Sequence, residues 1–248
     1  MGKRQRLDLL LLERHLVESR EDGRRRILAG EVLVNDQAVT KANSFVELDA
    51  RIHLKPAPRY VSRGGFKLEK ALQDFAISVK GKTALDIGAS TGGFTDCLLA
   101  HGAARVFAVD VGYGQLDWKL RNDPRVEVRE GINARYVSPH DFDTKFDLIT
   151  IDVAFISATK ILPAMIDLLN DQGRIVTLIK PQFEVGKGEL GKGGVVKDAA
   201  QHRRVIAEVN SAAESLGLMV KGLIDSPITG ADGNQEFLAV YFVSERER

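Results

Sequence analysis

From residue 66 onward, short apolar runs alternate with stretches in which apolar residues return every three or four positions. The runs fall near 83–87, 105–110, 125–129, 146–152, 173–180, 218–225 and 236–243, short and β-branched enough to be strands buried on both faces. Helical spacing marks 66–75 and 203–216; in the second, Val205, Val209, Ala212, Ala213 and Leu216 make one core-facing stripe. This alternation predicts an α/β domain on a mostly parallel sheet with right-handed crossovers. The last two strands, joined only by a loop, are expected to be antiparallel neighbours.

The front of the chain has a different rhythm. An apolar-rich stretch over 7–17 predicts a helix, and Ser19 with Asp22 three residues on predicts the cap of a second helix that ends near Gly30. A hairpin pattern follows over 31–39 about Asn35 and Asp36, then two short strands at 45–48 and 51–54. About fifty residues thus form a small αα–β unit. Residues 55–65, with two prolines and paired glycines, suit an extended connection. The expected domains are 1–55 and 66–248, with a linker over 56–65.

Composition narrows the class. With 44% hydrophobic residues and no apolar stretch near the roughly 20 residues needed to span a bilayer, the chain is expected to be soluble and cytoplasmic, without membrane or secretory segments. Cys97 is the single cysteine, so no intrachain disulfide can form and a buried structural role is expected. The five histidines show no metal-ligand spacing, and no metal is predicted. The net charge of +1 hides an asymmetry. Residues 1–63 carry 13 Lys and Arg against 9 Asp and Glu, net +4, whereas 64–248 carry 22 against 25, net −3. An anionic partner for the front unit follows.

The densest chemical signal is the run 83–94, Thr-Ala-Leu-Asp-Ile-Gly-Ala-Ser-Thr-Gly-Gly-Phe, in which a strand carrying Asp86 flows into a glycine-rich bend. Glycines at 88, 92 and 93 let the main chain lie against a ligand. A second strand ends at Asp110, 24 residues after Asp86, where a carboxylate beside the first loop can accept two ribose hydroxyls. The spacing departs from the Gly-x-Gly-x-x-Gly of dinucleotide sites and looks like the first motif of S-adenosylmethionine methyltransferases, whose ligand has no phosphate. Residues 186–191 formally match the dinucleotide pattern, but no strand ending in an acid follows at the required distance. The loop 183–197, rich in Gly and Lys, reads equally as a cover for bound RNA or as a mobile surface loop.

Three further polar residues fall at strand ends on the same side of the sheet: Asp152, Lys180 and, opening the last strand, Glu236; Lys67 precedes the first strand. In this order and context they resemble the Lys-Asp-Lys-Glu tetrad of FtsJ-type RNA 2′-O-methyltransferases. Residues 6–54 resemble the RNA-binding domain of ribosomal protein S-four, through Arg6-Leu-Asp, Ser19-Arg, Val32-x-Val-Asn35, Lys41 and Asp49-x-Arg-Ile52. Nearly the whole chain is similar to the TlyA (hemolysin-A-like) family. It resembles that family's shorter form, which leaves open how many ribosomal sites it serves.

The resemblance implies a Rossmann-like seven-stranded methyltransferase sheet behind a small α+β RNA-binding domain, with S-adenosylmethionine as cofactor and ribosomal RNA or ribosomal subunits as partner, a cytidine ribose as acceptor. The implied catalytic residues are Lys67, Asp152, Lys180 and Glu236. Cofactor contacts are expected from Asp86, Gly88, Ala89, Ser90, Thr91, Gly92, Phe94, Asp110, Val111, Asn133 and Asp152. RNA contacts are expected from Arg6, Arg20, Arg24, Arg25, Lys41, Arg59 and Arg63. Whether Lys180 is a neutral base or a charged stabiliser of an alkoxide is open at this level, because Lys67 and the two acids push its proton affinity in opposite directions. Two other readings stay in play: a non-catalytic RNA-binding or assembly factor, against which four intact tetrad residues count, and a membrane-lytic protein, against which the lack of a long basic amphipathic helix counts.

Overall fold

A computed structural model describes residues 3–56, 58–186, 188–230 and 232–243. The chain divides into two compact units, Met1–Arg59 and Tyr60–Arg248.

In the first unit the elements run β1 (Arg4–Arg6), α1 (Leu7–Glu13), α2 (Arg20–Leu28), β2 (Val32–Val34), β3 (Gln37–Val39), β4 (Phe45–Glu47) and β5 (Ile52–Leu54). Strands β3, β2 and β5 form one antiparallel sheet, while β1 and β4 pair separately. Leu7, Leu11, Val17, Ile27 and Val32 make a small shared core. The Ser19 hydroxyl accepts the Asp22 N–H and caps α2, and Asn35 and Asp36 both take positive φ, the geometry of a tight hairpin turn. Two details differ from the sequence expectation. Helix α1 stops at Glu13 and not at 17, because His15 turns left-handed (φ 54°) and the Leu16 N–H reaches back to the Leu11 carbonyl at 2.9 Å, an end that still delivers Val17 to the core from irregular chain. Strand β1 is all polar, so its pairing leaves no apolar alternation to read.

The second unit contains α3 (Gly64–Asp74), β6 (Thr83–Ile87), α4 (Gly93–Ala100), β7 (Arg105–Val109), α5 (Trp118–Arg121), β8 (Val126–Arg129), β9 (Phe146–Ile151), α6 (Leu162–Met165), β10 (Leu169–Ile179), α7 (Pro181–Glu184), α8 (Ala199–Ser215), β11 (Leu218–Asp225) and β12 (Phe237–Val243). The seven strands line up as β8-β7-β6-β9-β10-β12-β11, parallel through β10 and antiparallel thereafter. Alternate residues of one strand serve opposite faces: Ile175 and Ile179 pack on one core, Val176 and Leu178 on the other. Strand β10 begins at Leu169, earlier than expected, because the turn-like Asn-Asp-Gln-Gly segment is absorbed as an irregularity between Leu169 and Arg174.

The stretch expected to be an extended linker is only partly so. Tyr60 is 2% exposed in the core between α3 and α4, the Val61 N–H donates to the Asp96 carboxylate at 2.9 Å, and α3 starts at Gly64. Residues 60–65 therefore belong to the second unit; Ala57 lies outside the described residues. Among the described residues no helix is long and apolar enough to cross a membrane.

Candidate active site

The chain reverses between β6 and α4 over the carboxyl ends of the parallel strands, where polar groups of several strands converge. Gly88 takes φ +81°, and a Cβ there would collide with the carbonyl oxygen of Asp152; only glycine lets β6 and β9 end this close together. Two adjoining clefts open around it. The first, of about 580 Å³, is lined by Arg63, Lys67, Gly88, Ala89, Ser90, Thr91, Phe94, Asp152, Lys180 and Glu236 among the predicted residues. The second, of about 460 Å³, is lined by Gly88, Ser90, Asp110, Val111, Asn133 and Asp152 together with an apolar wall that includes Ile132, Ile156 and Ile161.

Four charged side chains meet in the first cleft as two ion pairs. Lys180 Nζ lies 2.6 Å from Asp152 Oδ1, and the two side chains are 14% and 21% exposed. Lys67 Nζ donates to Glu236 Oε2, and here both partners are buried. The pairs are supplied by four different elements: the ends of β9 and β10, the approach to β12, and α3. So placed, the cleft holds two lysine side chains, each paired with one carboxylate, in a setting largely shielded from water. Such an arrangement can bind a hydroxyl, move its proton and stabilise the oxyanion left behind.

Asp110 closes the second cleft. One carboxylate oxygen accepts the Ser90 N–H at 2.8 Å and the other the Gly112 N–H at 2.7 Å, which fixes the group and leaves a lone pair on each oxygen for a ligand. Ser90, at φ 49°, is held in the left-handed region by this bond and by a 3.2 Å contact from its hydroxyl to Gln115.

Two predicted cofactor contacts line neither cleft. Asp86 is fully buried beneath the loop, where it accepts the hydroxyls of Thr95 at 2.7 Å and Thr150 at 2.8 Å. Burial, with the charge of Asp152 adding and the two threonines opposing, pushes its carboxyl up to about 6. Gly92, at φ +97°, is needed because a Cβ would strike Leu120 and Leu116, a matter of packing and not of ligand approach. Gly93, expected to lie against a ligand, lines the first cleft, while Ser62, Gly64, Ala154, Gln115 and Phe155 line the clefts without having been singled out as contacts. Their signal was nearness in sequence, since Ala154 and Phe155 come two and three residues after Asp152, and Ser62 and Gly64 shortly precede Lys67. Glu184, just beyond Lys180, is drawn above the usual carboxylate range by burial, against hydrogen bonds from Ser157 and from the Ala158 N–H at 2.8 Å; Glu208 adds to the rise. Among the described residues, no group of three or more His, Cys, Asp or Glu side chains is placed to hold a metal ion.

In the first unit the predicted arginines are ordered by acids. Asp8, fully buried, accepts both Arg6 Nε at 3.0 Å and Arg6 Nη2 at 2.9 Å, and also Arg20 Nε at 2.9 Å. These bonds, that from Arg6 foremost, hold its carboxyl down at about 2. Because the folded value lies below the unfolded one near 4, the stabilisation is complete above about pH 4 and disappears as pH falls through about 2. Arg25 pairs with Asp22, while Arg24 makes no ion pair among the described residues; Lys41 and Arg59 are exposed on the same unit.

Comparison with known proteins fits both units. Residues 60–241 match the FtsJ-like methyltransferase family, and residues 5–52 match the S4 domain. YqxC of Bacillus subtilis is 50% identical over 239 residues, covering 96% of this chain and 85% of that protein. The 16S/23S rRNA (cytidine-2′-O)-methyltransferase TlyA of Mycobacterium tuberculosis is 45% identical, covering 96% and 89%. A solved structure from Streptococcus thermophilus superposes with a TM-score of 0.75 and 44% identity, covering 99% of this chain and 90% of that one.

Proposed function

This chain belongs to the FtsJ-like methyltransferase family, and from that premise we propose that it transfers the methyl group of S-adenosylmethionine to a ribose 2′-hydroxyl of ribosomal RNA, that of a cytidine. The carrying observation is the pair of ion pairs, Lys180 with Asp152 and Lys67 with Glu236, gathered in one cleft beside the glycine loop. The S4 match and the net positive charge of residues 1–63 support an RNA substrate, and the cytidine follows the activity of the Mycobacterium tuberculosis relative. Incubating the protein with ribosomal subunits and methyl-labelled S-adenosylmethionine, then mapping the modified nucleotide, tests the reading. Absence of label in both subunits and in naked ribosomal RNA would overturn it.

The residues present fit this cofactor. Gly88 brings bare backbone to the point where the two clefts meet, Asp110 offers a fixed carboxylate for ribose hydroxyls, and the apolar wall with Asn133 suits an adenine. When bound, S-adenosylmethionine supplies the methyl group and a positively charged sulfur as its leaving group. Lys67 and Glu236 hold the ribose hydroxyl in place, Asp152 orients Lys180, and Lys180 takes the proton or neutralises the alkoxide that forms.

Asp110→Ala should weaken S-adenosylmethionine binding by roughly 1.5–3 kcal/mol, the range for hydrogen bonds to a charged group. Calorimetry on the folded variant checks this; unchanged affinity removes Asp110 from the site. Replacing Arg20 and Arg24 together by alanine should lower RNA affinity and flatten its salt dependence by about one to two phosphate contacts. An unaltered slope of log affinity against log salt would mean that this helix face is merely solvated.

A further inference from the structure

Asp152 and Lys180 stand at the ends of adjacent parallel strands, and each is followed at once by a short irregular segment or a single helical turn. After Asp152 the chain runs through Val153, Ala154, Phe155 and Ile156, which form a wall of the second cleft. Phe155 is 91% exposed and held at φ 63°, a left-handed conformation that a side chain of this size keeps only when its surroundings impose it. Its ring centroid lies 5.1 Å from that of Phe183 in α7, and Lys180 Nζ lies 5.9 Å from the same Phe183 ring.

One side chain closes this segment at its far end. Glu184, the last residue of α7, accepts the Ser157 hydroxyl with one carboxylate oxygen and the Ala158 N–H with the other, at 2.8 Å. Ser157 Oγ in turn lies 2.7 Å from the Thr159 hydroxyl and caps the turn Ala158–Lys160. The segment 152–157 is therefore bracketed twice: by the Asp152–Lys180 pair at its start and by Glu184 at its end, with both brackets reaching it from the same stretch, 180–184.

We propose that Glu184 is a positioning residue for methyl transfer, holding the 152–157 segment so that Asp152 and Lys180 stay aligned. It acts through Ser157 and the Ala158 N–H and does not touch the reacting atoms. The assignment rests on the reading of Lys180 and Asp152 given above.

The test uses the full chain carrying Glu184→Ala, Glu184→Gln or Ser157→Ala, with three readouts: S-adenosylmethionine affinity, ribosomal RNA affinity, and the single-turnover rate with both saturating. Glu184→Ala should lower the rate roughly tenfold or more, since small misplacements of reacting groups are costly, with both affinities within about threefold of wild type. Glu184→Gln should restore most of the rate, because its amide oxygen accepts the Ala158 N–H and its NH₂ can donate to Ser157 Oγ. Hydrogen exchange at Ala158 should quicken in the alanine variant and not in the glutamine one. A wild-type rate in folded Glu184→Ala overturns the assignment, as does equal loss in the alanine and glutamine variants. If Glu184→Ala fails to fold, Ser157→Ala decides: a reduced rate at unchanged affinities supports the proposal and an unchanged rate overturns it. Lack of activity in the wild type would instead defeat the methyltransferase reading itself.

Discussion

Lys180→Ala should lower the single-turnover rate of methyl transfer by roughly 10²-fold or more while leaving the affinities for S-adenosylmethionine and ribosomal RNA within about threefold of wild type. A ribose hydroxyl holds its proton far above neutral pH, so the contact that matters strengthens only as charge grows on the attacking oxygen, and binding equilibria do not sense it. Lys180 is set for this: it is 14% exposed, paired with Asp152 at 2.6 Å, and faces the first cleft. Lys180→Arg should fail too, because guanidinium does not give up its proton and its planar fork places charge elsewhere. The pH profile separates the two roles open to the residue. A neutral base makes the rate rise with pH up to its own titration, whereas an ammonium stabiliser makes the rate fall once it titrates. A near-normal rate in either variant would pass the role to Lys67.

Lys67→Met should destabilise the second unit by about 3–5 kcal/mol, since it strands the buried carboxylate of Glu236 without its cation. The double variant Lys67→Met, Glu236→Leu should recover most of that loss, because an apolar pair of similar volume replaces a buried ion pair at little net cost. Neither variant should methylate RNA. Denaturant unfolding followed for both measures the coupling. If the double variant is as unstable as the single one, the pair is not the unit described here. If either variant keeps wild-type turnover, the pair has no part in catalysis.

Much of this architecture was legible because buried strands of a parallel sheet write themselves as continuous apolar runs, and six of the seven fall within one or two residues of where the pattern put them. Asp152, Lys180 and Glu236 could be brought together from sequence for a different reason: each sits at a strand end whose position the pattern already supplied, whereas Lys67 lies within α3 and was drawn in by the resemblance. What the sequence could not separate were two acids in equivalent places. Asp86 and Asp110 both lie at strand ends, yet Asp86 is taken up by Thr95 and Thr150, the second of them 64 residues away, and that information exists only in three dimensions. Asp8 is a parallel case, a carboxylate in an apolar-rich helix that is buried under two arginines from separate elements, which its place in the helix pattern gives no means of reading. The short all-polar β1 could be found only through its partner β4.

The two clefts have a party wall. Gly88, Ser90, Asp152 and Ala154 line both, so the two spaces are separated by little more than the thickness of the chain. A single inhibitor joining an adenosine-like half to a nucleoside half through a short tether could occupy both at once. Such a ligand gives up its translational and rotational freedom only once for two sets of contacts, and the tether gains most if it is rigid and no longer than the wall is thick. Chemistry aimed at either cleft alone forgoes that advantage.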